Sequence, residues 1–218
     1  MIEGIHVHID TEGVAVTAAA PLVAVSSALV GGGQAVVDAV LNLHVPKGFQ
    51  CADSTAVLAD FVRRRGLPSR YVGLLTAAAT ENAEVATVRH GALTALAIAT
   101  VGLSNRITAG VSRPAHTSAG TINTIIVVDG DAETTALVNV AMTVTEVKTL
   151  ALIEAGVKGA DGRFATGTST DAVVVAVTGR GRRQRFGGPI SDLGWLVGQA
   201  ASAVLRRGIA RWLAEHPS

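Results

Sequence analysis

The chain has few aromatic residues and a single cysteine. Only 3% of its 218 residues are aromatic, which argues against a site that stacks successive nucleic-acid bases on rings. Cys51 alone can form neither an intrachain disulfide nor a multi-cysteine metal site, and this fits a reducing compartment. A catalytic pair of Cys51 with His44 stays formally open, but a small, partly buried side chain is the favoured interpretation.

The chain also lacks an excess of charge of either sign. It has 18 basic and 17 acidic residues and a formal net charge of +1, so nothing draws the whole molecule to nucleic acid or anionic lipid. The basic residues are unevenly placed, with a group of arginines between residues 180 and 211. We interpret that group as a solvated surface, and contact with an acidic ligand or a partner subunit is the alternative.

A long uninterrupted apolar run is missing as well. Residues 13–37 carry no charge, but Pro21 and the Gly31-Gly32-Gly33 run interrupt them. A spanning helix needs about 20 continuous, mainly apolar residues. Acidic residues near the N-terminus stand where a signal peptide needs positive charge. We therefore expect a cytoplasmic protein without a membrane partner.

The remaining sequence predicts an α/β (or α+β) fold, with a mostly buried mixed sheet covered by helices in a single domain over residues 1–218. Nearly half of the residues are apolar (49%), and no linker or repeat divides them. The patterns predict strands at 5–9, 14–17, 22–25, 35–44, 71–75, 93–103, 122–128 and 172–177. Helices are predicted from Asp53 or Ser54 to Arg65, from a cap at Asp131 to Ala155, and over 193–213. Residues 83–88 fit either a strand or a helix.

Polar side chains collect where the apolar segments between residues 118 and 171 meet. A fold needs the apolar parts, but it does not need so many hydroxyl, amide, carboxylate and amine groups at their ends. These groups therefore indicate a site. The long loop 104–121 supports this interpretation, because connections of that length are often functional.

The helical part of this region contains Thr145-Glu146-Val147-Lys148-Thr149. Thr145 and Thr149 share one face of a helix. Glu146 and Lys148 diverge by about 160° on a turn of 3.6 residues, so one regular helix does not aim both into one pocket. Two solvated charges on an exposed face are the alternative interpretation.

The segment Ala165-Thr166-Gly167-Thr168-Ser169-Thr170-Asp171 precedes a valine-rich strand. Small hydroxyl residues around a glycine bring backbone N–H groups and hydroxyls close to a ligand, so the loop could hold an oxyanion or amide groups. It lacks the ending of a P-loop, and an ordinary turn is the alternative. Asn123 and Asn105 have the same two interpretations, as a ligand contact or as a structural amide.

The histidines do not form a metal-binding pattern. His6 and His8 alternate on one strand, where a solvated face is favoured over a two-histidine clip that lacks a third ligand. His44 and His116 could each act as a general base, because an imidazole titrates near neutrality. No Gly-x-Ser-x-Gly nucleophile elbow accompanies them.

Five motifs in order resemble one family. They are Leu75-Thr76-Ala77-Ala78, Val101-Gly102-Leu103-Ser104-Asn105, Ala119-Gly120-Thr121-Ile122-Asn123, Thr145-Glu146-Val147-Lys148-Thr149 and the 165–171 segment. Together they resemble the adenosylcobinamide amidohydrolase family of corrinoid salvage, from about Ser26 to about Gly198. The family more often has Ala at Val147 and Gly at Ser169, and neither difference removes a functional group.

The resemblance implies hydrolysis of the aminopropanol amide of adenosylcobinamide, which gives adenosylcobyric acid for coenzyme B12 assembly. The only metal implied is the cobalt of the corrinoid substrate; neither a cofactor nor a protein metal site is expected. We predict Glu146 as general base, Lys148 or Asn123 as the charge-stabilising group, and Asp171 as the residue that orients the loop. The predicted substrate-binding residues are Asn105, Thr121, Thr145, Thr149, Thr166, Gly167, Thr168, Thr170 and His44, with Thr166, Thr168 and backbone N–H groups holding the oxyanion.

Other chemistry and other functions stay open at this point. A threonine nucleophile is the alternative mechanism, although it usually needs a free N-terminal amine or a neighbouring base. The alternative functions are a non-catalytic corrinoid carrier or sensor and an amidase for a smaller amide. The predicted partner is the corrinoid, not nucleic acid, and a homo-oligomer is left open.

Overall fold

The fold is a mixed α/β structure built on one large sheet. A computed structural model describes residues 1–49, 51–113 and 120–217, without the side chain of Cys51. The strands are β1 Ile5–Ile9, β2 Gly13–Ser26, β3 Gly33–His44, β4 Tyr71–Thr76, β5 Glu84–His90, β6 Leu93–Val101, β7 Arg106–Ile107, β8 Ile122–Asp129, β9 Asp131–Ala132, β10 Gly167–Thr168, β11 Ala172–Val177 and β12 Arg183–Gln184. The α-helices of this described part are α1 Ser54–Arg65, α2 Thr134–Glu154 and α3 Asp192–Glu215.

The main sheet has the order β4-β3-β2-β11-β8-β6-β5, and β1 pairs with β2. The pairs β11–β8 and β3–β4 are parallel, and the other pairs along the sheet are antiparallel. Two short pairs, β10 with β7 and β12 with β9, lie outside this sheet. The predicted mixed sheet is therefore confirmed.

The sheet folds over on itself, so that the core has three apolar layers. The pairing of β2 with β3 shifts register between Thr17 and Leu22, which bends both long strands. One apolar layer joins α1 to the β3–β4 side of the sheet, a second lies between the two parts of the sheet, and a third lies under α2 and α3. Along β8, Ile125 faces the second layer and Ile126 the third, so the strand is apolar on both faces.

Most of the predicted elements are found, with differences at their limits. The two predicted strands around Pro21 are one bulged strand, β2, and the ambiguous residues 83–88 belong to strand β5. Helix α1 ends as predicted at Gly66, whose φ of 61° is left-handed. The predicted cap at Asp131 is wrong: Asp131 pairs with Arg183 in the short β9–β12 ladder, and α2 is preceded by Glu133.

Helix α2 alone among the described helices is long and apolar enough to cross a membrane, with a mean hydropathy of 1.5. A core helix of a soluble protein meets the same criterion. Its inner face, with Leu137, Val140, Val144 and Leu152, is fully buried in the layer under α2 and α3. We therefore interpret α2 as a core helix.

Several of the late arginines pair with acidic residues of the same chain, so that they do not form one free basic surface. Arg207 and Arg211 of α3 both bind Glu84 at the start of β5. Burial alone would raise the pKa of Glu84, but the hydrogen bonds from the two guanidinium groups outweigh it and lower the pKa. Glu84 therefore fastens the C-terminal half of α3 to the sheet as a carboxylate.

Candidate functional site

Asp171 is the centre of a cluster that joins three parts of the fold. Its Oδ2 atom lies 2.5 Å from Lys148 Nζ and accepts the backbone N–H of Thr168 at 3.0 Å. Its Oδ1 atom accepts the backbone N–H of Ile122 at 2.9 Å and a short hydrogen bond from the Thr168 hydroxyl. Both carboxylate oxygens are thus occupied, so the cluster suits Asp171 for positioning rather than for proton abstraction.

The two charged residues of the helical motif point in different directions, as the helical spacing predicts. Lys148 is buried and reaches inward from α2 to Asp171, whereas Glu146 is exposed. Both nevertheless line the same cleft, because the cleft opens along the side of α2. The expectation that these two positions of one regular helix cannot both face one pocket is therefore wrong for this broad cleft.

The cleft has a volume of about 640 Å³, within the usual range for small-molecule sites. It lies between the outer side of α2, the end of β2 and the start of β11. Its polar wall consists of Ser26, Ser27, Thr145, Glu146, Lys148 and Asp171. Its apolar wall consists of Val25, Val138, Ala141, Met142 and Val173. The site therefore offers an acid–base group and a buried cation beside a surface for an apolar body.

Gly167 lets the ion pair form. A Cβ atom at this position would lie 2.5 Å from Asp171 Oδ2 and 2.8 Å from Lys148 Nζ. Both distances are too short for a carbon atom, so a side chain at this position would displace one or both atoms of the ion pair. The geometry of the pair as it stands therefore leaves space only for a glycine at position 167.

Asn123 is fully buried in a polar network between the two parts of the sheet. Its Nδ2 atom donates to Asn42 Oδ1 and to the backbone oxygen of Leu75, both at 2.8 Å. Asn42 in turn donates to the Thr100 hydroxyl at 2.9 Å. Asn123 Oδ1 lies 3.3 Å from the Thr121 hydroxyl. The amide donors of Asn123 are therefore committed to protein groups.

Several of the predicted substrate-binding residues tie loops together. The Thr121 hydroxyl donates to the Thr170 backbone oxygen at 2.8 Å, and the Thr149 hydroxyl donates to that of Thr166 at 3.1 Å. Asn105 donates to the Ser169 hydroxyl at 2.6 Å. The 105–112 loop and the 164–171 segment are thereby held against each other at the rear of the Asp171 cluster.

The hydroxyls predicted to hold an oxyanion already have other partners. The Thr166 hydroxyl accepts the Ala109 backbone N–H at 2.9 Å, and the N–H of Thr166 donates to Ile107. Both donors of Thr168 go to Asp171. The ammonium group of Lys148 belongs to this cluster and also lines the cleft. It has three N–H donors and gives one of them to Asp171 Oδ2.

The remaining predicted residues lie at the rim or elsewhere. Thr145 lines the cleft, but its hydroxyl bonds to the Ala141 backbone oxygen one turn earlier. His44 is exposed and bonds through Nδ1 to the Ala78 backbone oxygen at 3.0 Å, beside a separate cavity of about 230 Å³. His116 lies outside the described residues. The roles predicted for all of these residues stay predictions.

Sequence reasoning missed Asn42 and Thr100 as members of the buried network. A signal was present, since each is a polar residue inside an otherwise apolar strand segment, Val40-Leu41-Asn42-Leu43 and Ile98-Ala99-Thr100-Val101. What the sequence does not show is that β3 and β6 face each other across the folded sheet. His8 is exposed and bonds to Asp10 at 3.0 Å, as a solvated strand face predicts.

Nothing in the described ranges assembles three or more His, Cys, Asp or Glu side chains into a metal-binding group. The charged groups of the cleft are the Asp171 carboxylate, which is paired with the Lys148 ammonium, and the Glu146 carboxylate at the rim. Such groups suit acid–base chemistry better than the binding of a metal ion. Fold and site together define a mixed α/β protein with a broad cleft that carries acid–base groups.

Comparison with known proteins gives the particular family. The family model described as adenosylcobinamide amidohydrolase matches residues 1–217, so the chain belongs to the adenosylcobinamide amidohydrolase family. An adenosylcobinamide amidohydrolase of Methanosarcina mazei is 36% identical over 155 residues, which cover 70% of this chain and 68% of that protein. The predicted family is confirmed, and with it an amidohydrolase acting on adenosylcobinamide at the level of the family.

Two solved structures are similar at low identity. The PH0078 protein of Pyrococcus horikoshii OT3 has a TM-score of 0.46 at 12% identity, with coverage of 99% of this chain and 80% of that one. An L-aminopeptidase D-Ala-esterase/amidase of Ochrobactrum anthropi has a TM-score of 0.46 at 11% identity, with coverage of 95% and 83%. Similarity at this level says nothing about the chemistry of this chain.

Proposed function

We propose that the chain hydrolyses the amide that joins aminopropanol to the corrin of adenosylcobinamide, and that it releases aminopropanol and adenosylcobyric acid. Family membership supports the substrate. The observation that carries the proposal is the cleft that brings Glu146, Lys148 and Asp171 together beside an apolar wall. Amide hydrolysis needs an activated nucleophile and a stabilised oxyanion, and an apolar wall suits a macrocycle with methyl and methylene edges.

Glu146 is proposed as the general base. Its carboxylate is exposed at the cleft, unlike that of Asp171, so it can take a proton from a water molecule that attacks the amide carbonyl carbon. The same proton then passes to the leaving nitrogen as the carbon–nitrogen bond breaks. The acid product and the amine are thereby formed from one water molecule without another reactant.

Lys148 is proposed to stabilise the oxyanion. Asp171 holds its ammonium in place at 2.5 Å, and the further N–H donors of the ammonium can meet the oxygen of the tetrahedral intermediate. Asp171 is a positioning residue in this scheme, and Asn123 supports the loop that carries Thr121. The threonine alternative is weaker, because the Thr121 hydroxyl contacts a backbone oxygen and an amide rather than a base.

The test is incubation of the purified chain with adenosylcobinamide and detection of adenosylcobyric acid and aminopropanol by mass spectrometry. Glu146→Gln should lower kcat by about a hundredfold or more with little change in unfolding free energy. Glu154→Gln is the matched control, because it makes the same change on the same helix away from the cleft, and it should keep normal turnover. Corrinoid binding without product would indicate a carrier or sensor, and near-normal turnover of Glu146→Gln would remove the general-base role.

The wider setting is part of the same proposal. We propose one cytoplasmic domain over residues 1–218 that uses no resident metal or cofactor, the cobalt belonging to the substrate, and that has no nucleic-acid or membrane partner. The single cysteine, the scarcity of aromatic residues and the near-neutral charge support it. Dialysis against a metal chelator should leave turnover unchanged, and a loss that added Zn²⁺ restores would contradict the proposal.

A further inference from the structure

We propose that Met142 and Val138 of α2 hold the apolar edge of the corrin ring at the mouth of the cleft, and so determine affinity for corrinoids. This inference rests on the proposed function, because it names the part of the substrate that the same cleft binds. The proposed function matches the apolar wall to the macrocycle only in general, whereas this inference names the two residues that make the contact.

The first observation is an exposed apolar row on a helix that is otherwise packed against the core. Val138, Met142, Leu150 and Ile153 are 45%, 55%, 51% and 40% exposed, although α2 contributes a fully buried face to the core. Of these four, Val138 and Met142 line the cleft, and Leu150 and Ile153 do not. Val138 and Met142 therefore lie beside the polar wall of the cleft, whereas Leu150 and Ile153 lie away from it.

The second observation concerns the position of Glu146 within this row. An antiparallel pair of identical α2 helices with the row at its centre would bring the two Glu146 carboxylates close to the symmetry axis. Like charges that face each other in an interface disfavour that pairing. The apolar row is therefore better explained by a ligand at its cleft end than by a second copy over its whole length.

The chemistry of the corrin matches this end of the helix. The ring has methyl-bearing apolar edges, and the amide to be cleaved lies at the end of a side chain. If that side chain enters toward Lys148, the ring edge lies outside, because an intact corrinoid is larger than a cleft of about 640 Å³. Val138 and Met142 lie on the same side of α2 as Glu146 and one turn apart, where this edge would rest.

Methionine suits such a contact, since its thioether side chain is flexible and polarisable and adapts to an irregular surface. The amide of Asn139 lies 4.0 Å from the Met142 sulfur, in reach of a weak hydrogen bond that orients the thioether. Removal of the side chain should therefore weaken ground-state binding more than the chemical step.

The experiment measures the Kd of adenosylcobinamide from the change in its visible absorption, in the Glu146→Gln chain so that the ligand persists. Met142→Ala should raise Kd about threefold to tenfold, and Met142→Leu, which keeps the volume, should restore most of the affinity. Leu150→Ala is the matched control, an equally exposed residue of the same helix outside the cleft, and it should leave Kd unchanged. In the chain with Glu146 intact, Met142→Ala should raise KM with a much smaller effect on kcat.

The outcomes separate this inference from the proposed function. An unchanged Kd in Met142→Ala, or an equal rise in Leu150→Ala, overturns the inference and leaves the hydrolysis proposal standing. A weakened Kd in Met142→Ala, together with no product from the parent chain in which Glu146 is intact, supports the inference and overturns the hydrolysis. Absence of adenosylcobinamide binding by every variant, the parent chain included, overturns both.

Discussion

Lys148 and Asp171 form an ion pair whose side chains are each only 10% exposed, with 2.5 Å between Nζ and Oδ2. The two residues are 23 positions apart, one on α2 and one directly before β11. Asp171 also accepts hydrogen bonds from Thr168 and Ile122, so the pair connects a helix, a loop and the start of β8. The geometry of the cleft therefore depends on a buried charge pair, which makes the site sensitive to the loss of either partner.

Replacement of Asp171 and replacement of Lys148 should lower the free energy of unfolding by different amounts. Asp171→Asn leaves the Lys148 ammonium buried without its anion and should lower the free energy of unfolding by about 3 to 5 kcal/mol. Lys148→Met leaves a carboxylate that keeps three hydrogen bonds from Thr168 and Ile122, and the cost should be nearer 2 kcal/mol. Urea denaturation at neutral pH measures both values. Equal costs, or a larger cost for Lys148→Met, would show that Asp171 depends on the ammonium more than its backbone contacts suggest.

Gly167→Ala should separate the pair without removing a charged group. The added Cβ lies too close to both charged atoms, so we expect kcat/KM to fall at least tenfold and stability to fall by about 1 to 3 kcal/mol. Gly198→Ala is the control on α3, where an added Cβ makes only ordinary contacts at 3.8 and 3.9 Å. That variant should keep full activity and gain about 0.5 to 1 kcal/mol, because alanine favours the helix. Kinetics and thermal unfolding of both variants check the prediction, and an active Gly167→Ala chain would contradict it.

Asn123→Ala should act mainly through stability. It removes the amide group that donates to Asn42 Oδ1 and to the Leu75 backbone oxygen. We expect the free energy of unfolding to fall by about 2 to 4 kcal/mol. Because Asn42 and Asn123 share a hydrogen bond, a double-mutant cycle between Asn42→Ala and Asn123→Ala should show coupling of about 1 kcal/mol. Asn139→Ala, an exposed amide on α2, is the control and should change stability by about 0.5 kcal/mol or less. Additive losses in the cycle would argue that the network is not one cooperative unit.

Local pattern was sufficient for most of the fold and for part of the site. The strands and helices follow from apolar periodicity and from stops such as Gly66, because these signals depend on neighbours within a few residues. Helical spacing alone predicts that Glu146 and Lys148 point in different directions, but it does not show that Lys148 is the one that points inward. The motif around Thr168 and Asp171 likewise indicated a polar cluster before its contacts were known.

Long-range pairing was not predictable from these patterns. Asn42 and Asn123 are 81 positions apart and meet only because the bulged β2 folds the sheet over on itself. The wrong cap at Asp131 has the same cause, since its partner Arg183 lies far along the chain. The ligand contacts predicted for Thr166 and Asn105 stay predictions, and the sequence does not show that both residues also form hydrogen bonds between loops.

Asp10 should make stability depend on pH between about 4 and 2. Burial alone would raise the pKa of its carboxyl, but hydrogen bonds from Arg65, His8 and the backbone N–H groups of Glu12 and Gly13 lower the pKa from 3.8 to about 2. A carboxyl with a lower pKa in the folded chain contributes stability above its unfolded pKa and loses it as the pH falls through the folded value. The difference in unfolding free energy between the parent chain and Asp10→Asn should thus be constant from neutral pH to about 4.

Below that pH the difference should shrink, and most of it should be gone at about pH 2, where the carboxyl is half protonated in the folded chain and almost fully protonated in the unfolded one; the rest is lost below pH 2. Urea denaturation at several pH values measures it, and the Asp10→Asn chain removes this one group while the other carboxyls titrate equally in both proteins. A difference that stays constant down to pH 2 would mean that the contacts of Asp10 with Arg65 do not favour the carboxylate. The interaction would then be a neutral hydrogen bond at the β1–β2 turn, and the pKa of Asp10 would lie near its ordinary value.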